Sequence, residues 1–305
     1  METTEQSTLR SSRLRRRLGH LWREWTTESW RPIAPAFAKP EPSKWNDARV
    51  TAAWIGHATV LINFVGINIL TDPVLFPRIG IRLPGFTIGP KRLTAPALEF
   101  HELPRIDIIL LSHAHFDHLD LRTLHCFDEN TSVITAPKTR GLLRWTRLRH
   151  ISELRWGETK SLKTAAGDID VIALRVEHWG ARKQRDTYRG YNGYLLERNG
   201  RRVLFGGDTA LTNSFAHSRQ HGPIDLAIMS IGAYNPWIRS HCTPEQAIEM
   251  ANAAGAQFIM PVHHQTFRLS FEPLREPIER FETALQREPE RIALREIGET
   301  FVLPL

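Results

Sequence analysis

Cysteine is nearly absent from the 305 residues: only Cys126 and Cys242 occur, with no CxxC spacing. This excludes a disulfide framework and a thiolate zinc site, and fits a reducing cytoplasm. No apolar run approaches the ~18 residues of a transmembrane helix. The arginines near the N-terminus lack the apolar stretch of roughly 7–15 residues that a secretory or twin-arginine signal requires. The expected setting is the cytoplasm, with attachment at the inner membrane surface as the alternative. Short-period repeats are missing too, and the one biased tract is rich in proline.

What is present suffices for a large core, since 41% of the residues are hydrophobic and the length fits one large domain or two small ones. Forty Lys and Arg against 33 Asp and Glu give a net charge of +7. Such a balance favours anionic partners: nucleic acid, phosphorylated metabolites or a membrane surface.

Residues 9–30, LRSSRLRRRLGHLWREWTTESW, place Leu14, Leu18, Leu21, Trp22 and Trp25 at helical spacing, with Arg13, Arg15, Arg16, Arg17 and Arg23 among them. The pattern predicts a basic amphipathic helix, suited to an anionic membrane surface or equally to packing on the domain with its arginines in water. In RPIAPAFAKPEP the prolines are too frequent for a helix or central strand, so an extended strap is expected. Residues 1–44 therefore read as helix and strap, and 45–305 as the main folded domain.

From Val50 onward short apolar runs alternate with turn signals. Gly66 divides TVLINFVGINILTDP into two strands, and Asn199-Gly200 divides GYLLERNGRRVLFGGD into a hairpin. Further strands are expected in RIDIILLS, SVITAP, DIDVIALRVEH, IDLAIMSIG and AQFIMPVH, and helices at 119–126, 138–149, 244–254 and 274–287. Thr243, Pro244 and Gln246 form a helix-start signal, which leaves His241 in the preceding loop. Hairpins followed by alternating strands and helices predict an α/β layered domain.

The stretch LLSHAHFDHLD, residues 110–120, follows one of these strands. Residues two apart on an extended strand exit point the same way, so His113 and His115 converge. A helix beginning near Leu119 would put Asp117 and His118 on its first turn, facing a neighbouring ion. Imidazole and carboxylate donors suit zinc, with iron, manganese or nickel also accommodated. A second ion needs more donors, and His178, Asp208 and His263 end three other apolar strands. Gly206 and Gly207 before Asp208 permit close backbone approach. Alternation in IMPVHH leaves His263 and His264 as rivals. Asp72 in LTDP reads as a turn residue.

HAHFDH, EHWG, GGDT and PVHHQTF resemble the metallo-β-lactamase fold, a four-layer αββα sandwich with a dinuclear metal centre at one edge of its sheets. WIGHATVLINFVGINILTDPVLFPR and GAYNPWIRSHCTPEQAIEM are similar to the N-acyl-phosphatidylethanolamine phospholipase D branch and its bacterial relatives. The resemblance spans approximately residues 45–275. It implies that His113, His115 and His178 bind one zinc, that Asp117, His118 and His263 bind the other, and that Asp208 bridges them. It also favours His263 over His264, since the family's last ligand stands before a TF pair. Where the family has Trp-Gly, this chain has His264-Gln265. His241 resembles the family's non-ligand active-site histidine, and Asp117 shares the catalytic assignment. His57 in WIGHAT matches as well, although its place before a strand suits a structural role equally.

The implied function is phosphodiester hydrolysis by a metal-activated water, releasing an N-acylethanolamine and phosphatidic acid from an N-acylated phospholipid. A lactonase or phosphorylated-metabolite hydrolase is the alternative within the fold. Nucleic acid binding is motivated by the charge alone, and the nuclease branches carry an inserted domain for which the interval from Asp208 to His263 has no room. The oligomeric state is left open.

Overall fold

The computed structural model of the chain describes residues 29–183 and 185–304. Most of the amphipathic segment expected at 9–30 lies outside them. The proline-rich strap runs along the domain: the Ala34 amide donates to the Leu93 carbonyl at 2.9 Å, and that of Ala38 to Ile297 at 3.2 Å. Among the described residues no helix is long and apolar enough to cross a membrane.

Strands β1 (Val50–Gly56), β2 (Thr59–Phe64) and β3 (Ile67–Thr71) form a meander. A separate hairpin follows, β4 (Ile81–Leu83) and β5 (Phe86–Ile88), which the sequence reading did not identify. Then β6 (Ile108–Leu111), β7 (Ser132–Thr135) and β8 (Ile151–Glu153) extend the first sheet in parallel from β3. The second sheet comprises β9 (Thr159–Thr164), β10 (Gly167–Leu174), β11 (Gly193–Arg198), β12 (Arg201–Phe205), β13 (Ile224–Ser230) and β14 (Ala256–Val262). Its order is β14-β13-β12-β11-β10-β9, with β12, β13 and β14 parallel. Finally β15 (Thr300–Val302) returns to the β1 edge of the first sheet.

Period-two alternation assigns the layers. Trp54, Ile62, Phe64, Leu110, Val203, Phe205 and Ile228 fill the space between the sheets. Their neighbours Ile55, Leu61, Ile109 and Leu111 point the other way, toward α1 (Leu121–His125). On the opposite side Leu204, Ala227 and Ile259 pack against α2 (Pro244–Ala254) and α3 (Glu276–Ala284). Helix, sheet, sheet and helix thus stack as expected. Each large apolar side chain so enclosed contributes roughly 1.5–3 kcal/mol.

Local chemistry places the turns. Val65-Gly66 have φ of 52° and 86°, and Asn199-Gly200 have 50° and 73°, the paired positive values that a tight hairpin turn requires. The Thr243 hydroxyl accepts from the Gln246 amide while the Gln246 side chain accepts from the Thr243 amide, completing the expected box at the start of α2. The helix expected at 138–149 does not form. A short 3-10 turn, Arg140–Trp145, stands there instead. Pro137 precedes it, Gly141 lies within it and only Leu143 of the turn is buried, so neither propensity nor an apolar face sustains an α-helix.

Since β1 and β3 both run antiparallel to β2, and β10 and β12 both run antiparallel to β11, strands β1, β3 and β6 share one direction, as do β10, β12 and β14. Carboxyl-terminal strand ends of this kind are where α/β sheets place functional groups.

Candidate metal centre

Every polar residue singled out above leaves the sandwich at such an end. His113 and His115 follow β6, and a turn closed by the Leu119 amide on the His115 carbonyl (2.9 Å) carries Asp117 and His118. Asp120 caps α1, which begins only at Leu121. Asp117 and His118 therefore sit in the turn before the helix and not on its first turn. His178 and Asp208 stand in loops beyond the last residues of β10 and β12, Leu174 and Phe205, and not on the strands themselves. Their approach depends on Gly207: at φ 58°, a Cβ there would lie 2.9 Å from both the Asn192 carbonyl oxygen and the Ser112 Cβ. His263 directly follows β14 at φ 66°. Its neighbour His264 turns away and packs on Trp54, with ring centroids 4.5 Å apart.

Two groups of donor atoms result. His113 Nε2 lies 2.8 Å from His115 Nδ1, which is 3.3 Å from His178 Nε2. In the other group, His118 Nε2 and His263 Nε2 are 3.1 Å apart, and each is 3.6 Å from Asp117 Oδ2. Asp208 Oδ2 stands between the groups, 3.0 Å from His118 Nε2 and 3.2 Å from His263 Nε2. It is 4.0 Å from His113 Nε2 and 3.9 Å from His178 Nε2.

These atoms fit a pair of divalent cations. Nitrogens held ~2.05 Å from a tetrahedral ion lie about 3.3 Å from one another, close to the spacings found. One proton bridges two nitrogens but cannot satisfy three converging lone pairs. Asp208 Oδ2 is buried and completes no hydrogen bond, an arrangement that is costly unless a cation neutralises it. Burial, then the neighbouring histidines, hold His113 well below its ordinary range, and burial does the same for His178. Both are thereby neutral, as metal ligands must be. Burial opposes charge on Asp208, but the facing His118 and His263 outweigh it and hold the carboxyl well below its ordinary range.

The other assigned residues occupy distinct places. His57 is enclosed, with φ 55° and its Nε2 3.0 Å from Asp117 Oδ2, so it sits behind a donor and not at the mouth. Its amide donates to the Thr266 hydroxyl at 2.7 Å, and its carbonyl accepts from the His263 amide at 3.0 Å. His241 Nδ1 lies 3.9 Å from Asp208 Oδ2, in the loop before α2 as expected. That loop also receives His178, whose Nδ1 meets the Ser240 carbonyl at 2.7 Å.

Three residues of consequence escaped the sequence reading. Asp72, read there as a turn residue, is fully buried with φ 33°. Its Oδ2 meets His118 Nδ1 at 2.6 Å and accepts from the Ser112 hydroxyl at 2.5 Å, and its Oδ1 accepts from the Ser112 amide at 2.7 Å. Arg92, also buried, donates to the Val74, Phe76 and Thr94 carbonyls and lies over the Phe267 ring. Arg182 donates to the Ala114 and Leu119 carbonyls at 3.0 and 2.7 Å and stacks on Phe116 at 4.0 Å, clamping the ligand loop. No local pattern marks these contacts, because the partners are distant in sequence.

The bond from Asp72 fixes the tautomer and ring orientation of His118. Asp72→Asn is expected to lower metal affinity about 10–100-fold, the usual effect of removing such a partner. Competition against a chromophoric chelator measures this, and unchanged affinity would show that His118 needs no orienting carboxylate.

A family model described as the beta-lactamase superfamily domain matches residues 67–264. An uncharacterized protein of Mycobacterium tuberculosis H37Rv is 32% identical over 277 residues, covering 87% of this chain and 71% of that protein. The N-acyl-phosphatidylethanolamine-hydrolyzing phospholipase D 1 of Caenorhabditis elegans is 31% identical over 238 residues, 73% of this chain and 65% of that one. Among solved structures, a metallo hydrolase from Ignicoccus hospitalis superposes with a TM-score of 0.64 at 17% identity, covering 84% of this chain and 99% of that one. That likeness supports the fold. With the family match across most of the sandwich and a His/Asp centre suited to two divalent ions, the chain belongs to the metallo-β-lactamase superfamily as a metal-dependent hydrolase.

Proposed function

We infer that the protein is a zinc phosphodiesterase of the phospholipase D type, acting on an N-acylated phosphatidylethanolamine at an anionic membrane surface. The observation that carries this reading is Asp208 Oδ2 shared between two donor groups, with exposed Trp179 against His115 and exposed Trp237 and Phe271 tied to the loop that carries His241. The named activity of the Caenorhabditis relative supports it.

Two zinc ions so held would lower the pKa of a shared water toward neutrality and stabilise charge on a phosphoryl oxygen. The chain's own groups do the rest. Asp117 and Asp208 supply two carboxylates against four formal positive charges, which leaves a centre that attracts a phosphodiester. Burial depresses His241 to about 4, so its imidazole is neutral at pH 7 and donates a hydrogen bond to a phosphoryl oxygen. His57, braced by Thr266, holds Asp117 in place. A water oxygen bonds to phosphorus and gives up a proton, the bond from phosphorus to the ethanolamine oxygen breaks, and that proton passes to the leaving alkoxide. Phosphatidic acid and an N-acylethanolamine result.

Outside the centre, Trp179 stacks edge-on against His115 with centroids 4.6 Å apart. The Trp237 carbonyl accepts from the Ser240 and His241 amides, and the Phe271 amide donates to Asn235. The rim is therefore tied to the loops that carry the site, and its apolar rings suit acyl chains. Purified, zinc-supplemented protein is expected to hydrolyse N-acyl-phosphatidylethanolamine in mixed micelles, with bis-nitrophenyl phosphate as a slower substrate. Turnover of lactones without either phosphodiester would reject the assignment.

A further inference from the structure

A cleft of about 780 Å³ opens beside the 3-10 turn Arg140–Trp145, away from the metal ligands. Its cations are Lys138, Arg140, Arg144, Arg149 and Arg189, and the one carboxylate on its wall is Glu153. Glu153 Oε1 is turned to the Arg140 amide, from which it accepts at 2.7 Å. Arg189 is held by Asp186 at 2.7 Å. Among the described residues, no carboxylate lies within ion-pair distance of Lys138, Arg140, Arg144 or Arg149, all of which are exposed. The floor is apolar, made by Leu143, Leu148 and Ile151.

The surrounding backbone builds this concavity. Lys138 has φ 63°, and the Gly190 amide donates to the Pro137 carbonyl at 2.8 Å. A Cβ on Gly190 would meet Pro137 Cδ at 2.5 Å, so the loop bearing Tyr188 and Arg189 closes tightly against the end of β7. Trp145 stands exposed at the lip under the Arg144 guanidinium, 4.9 Å from its ring.

Isolated surface arginines are usually solvated and neutralised by nearby carboxylates. Here four cations line one hollow with no carboxylate partner among the described residues, the Arg149 guanidinium also donating to the Thr146 and Leu148 carbonyls at 2.9 and 3.1 Å, and low-dielectric walls focus their field. Guanidinium groups match phosphate oxygens in geometry and charge. We propose that this cleft is a second anion site that takes a phosphate monoester or diester group, from either a phospholipid headgroup or a soluble phosphate. The site stands independently of the reaction assigned above, because its residues touch none of the metal donors.

The test compares the full-length protein with the R140E/R144E variant, both side chains being exposed. Two probes are used: inorganic phosphate by titration calorimetry, and cosedimentation with phosphatidylglycerol or phosphatidylcholine vesicles. The parent is expected to bind phosphate, or phosphatidylglycerol vesicles in preference to phosphatidylcholine, and the variant to lose at least about tenfold in affinity, equivalent to ~1.4 kcal/mol. Turnover of bis-nitrophenyl phosphate should be unchanged. Loss of vesicle binding identifies a lipid headgroup as the source, and loss of phosphate binding alone a soluble one. Phosphate held at the metal centre would persist in the variant. Equal binding by both proteins, or none by the parent, overturns the proposal.

Discussion

Asp208→Asn is expected to reduce phosphodiester turnover by about 10³-fold or more in a protein that remains folded. The Asp208 Oδ2 atom lies among five imidazoles, those of His118, His263, His113, His178 and His241, at 3.0 to 4.0 Å. An amide keeps the shape but removes the charge that balances two cations, and it offers an N–H to atoms that should face a metal. A loss of ~4 kcal/mol at such a position corresponds to roughly 10³ in rate. Metal content is expected to fall from two ions per chain toward one. Initial rates, circular dichroism and elemental analysis on one preparation separate the outcomes. Near-parental turnover with both ions retained would rule out Asp208 as the bridge.

Removing the metals is expected to lower the melting temperature by about 10 °C. The donors come from both sheets: His113, His115, Asp117 and His118 follow β6 of the first, while His178, Asp208 and His263 leave the second. Bound ions would therefore join the two halves of the sandwich. An ion present at ~1,000 times its Kd contributes about 4.1 kcal/mol. At ~2–4 °C per kcal/mol for a domain of this size, the shift is of that order. Calorimetric scans before and after chelation, with zinc added back, measure it. A melting point insensitive to chelation would mean that the donors are held in place by packing alone.

The parts of the site legible in the sequence were those with local pattern. HAHFDH compresses four donors into one strand exit, and strand-like runs end close to His178, Asp208 and His263. Close is the operative word, because His178 and Asp208 stand beyond their strands, where only Gly207 hinted at the approach. Asp72 was misread because a buried carboxylate after a strand looks like any turn residue until His118, far along the chain, is seen against it. Arg92 and Arg182 act on backbone carbonyls, which carry no sequence signature. The hairpin β4–β5 consists of three-residue strands around Pro84-Gly85, too short for alternation to register. In 138–149 the leucines suggested a helix, yet Arg140, Arg144 and Arg149 line the cleft.

The two donor groups also differ in when they exist. During synthesis the first group's histidines are complete once His178 has been made, whereas the second lacks a member until His263, near the end of the sandwich. The chain emerges amino-terminus first, and β14, which positions His263, pairs with β13 at one end of the second sheet. The chain therefore passes through an interval in which every imidazole of one donor group has been made while the other group still lacks His263.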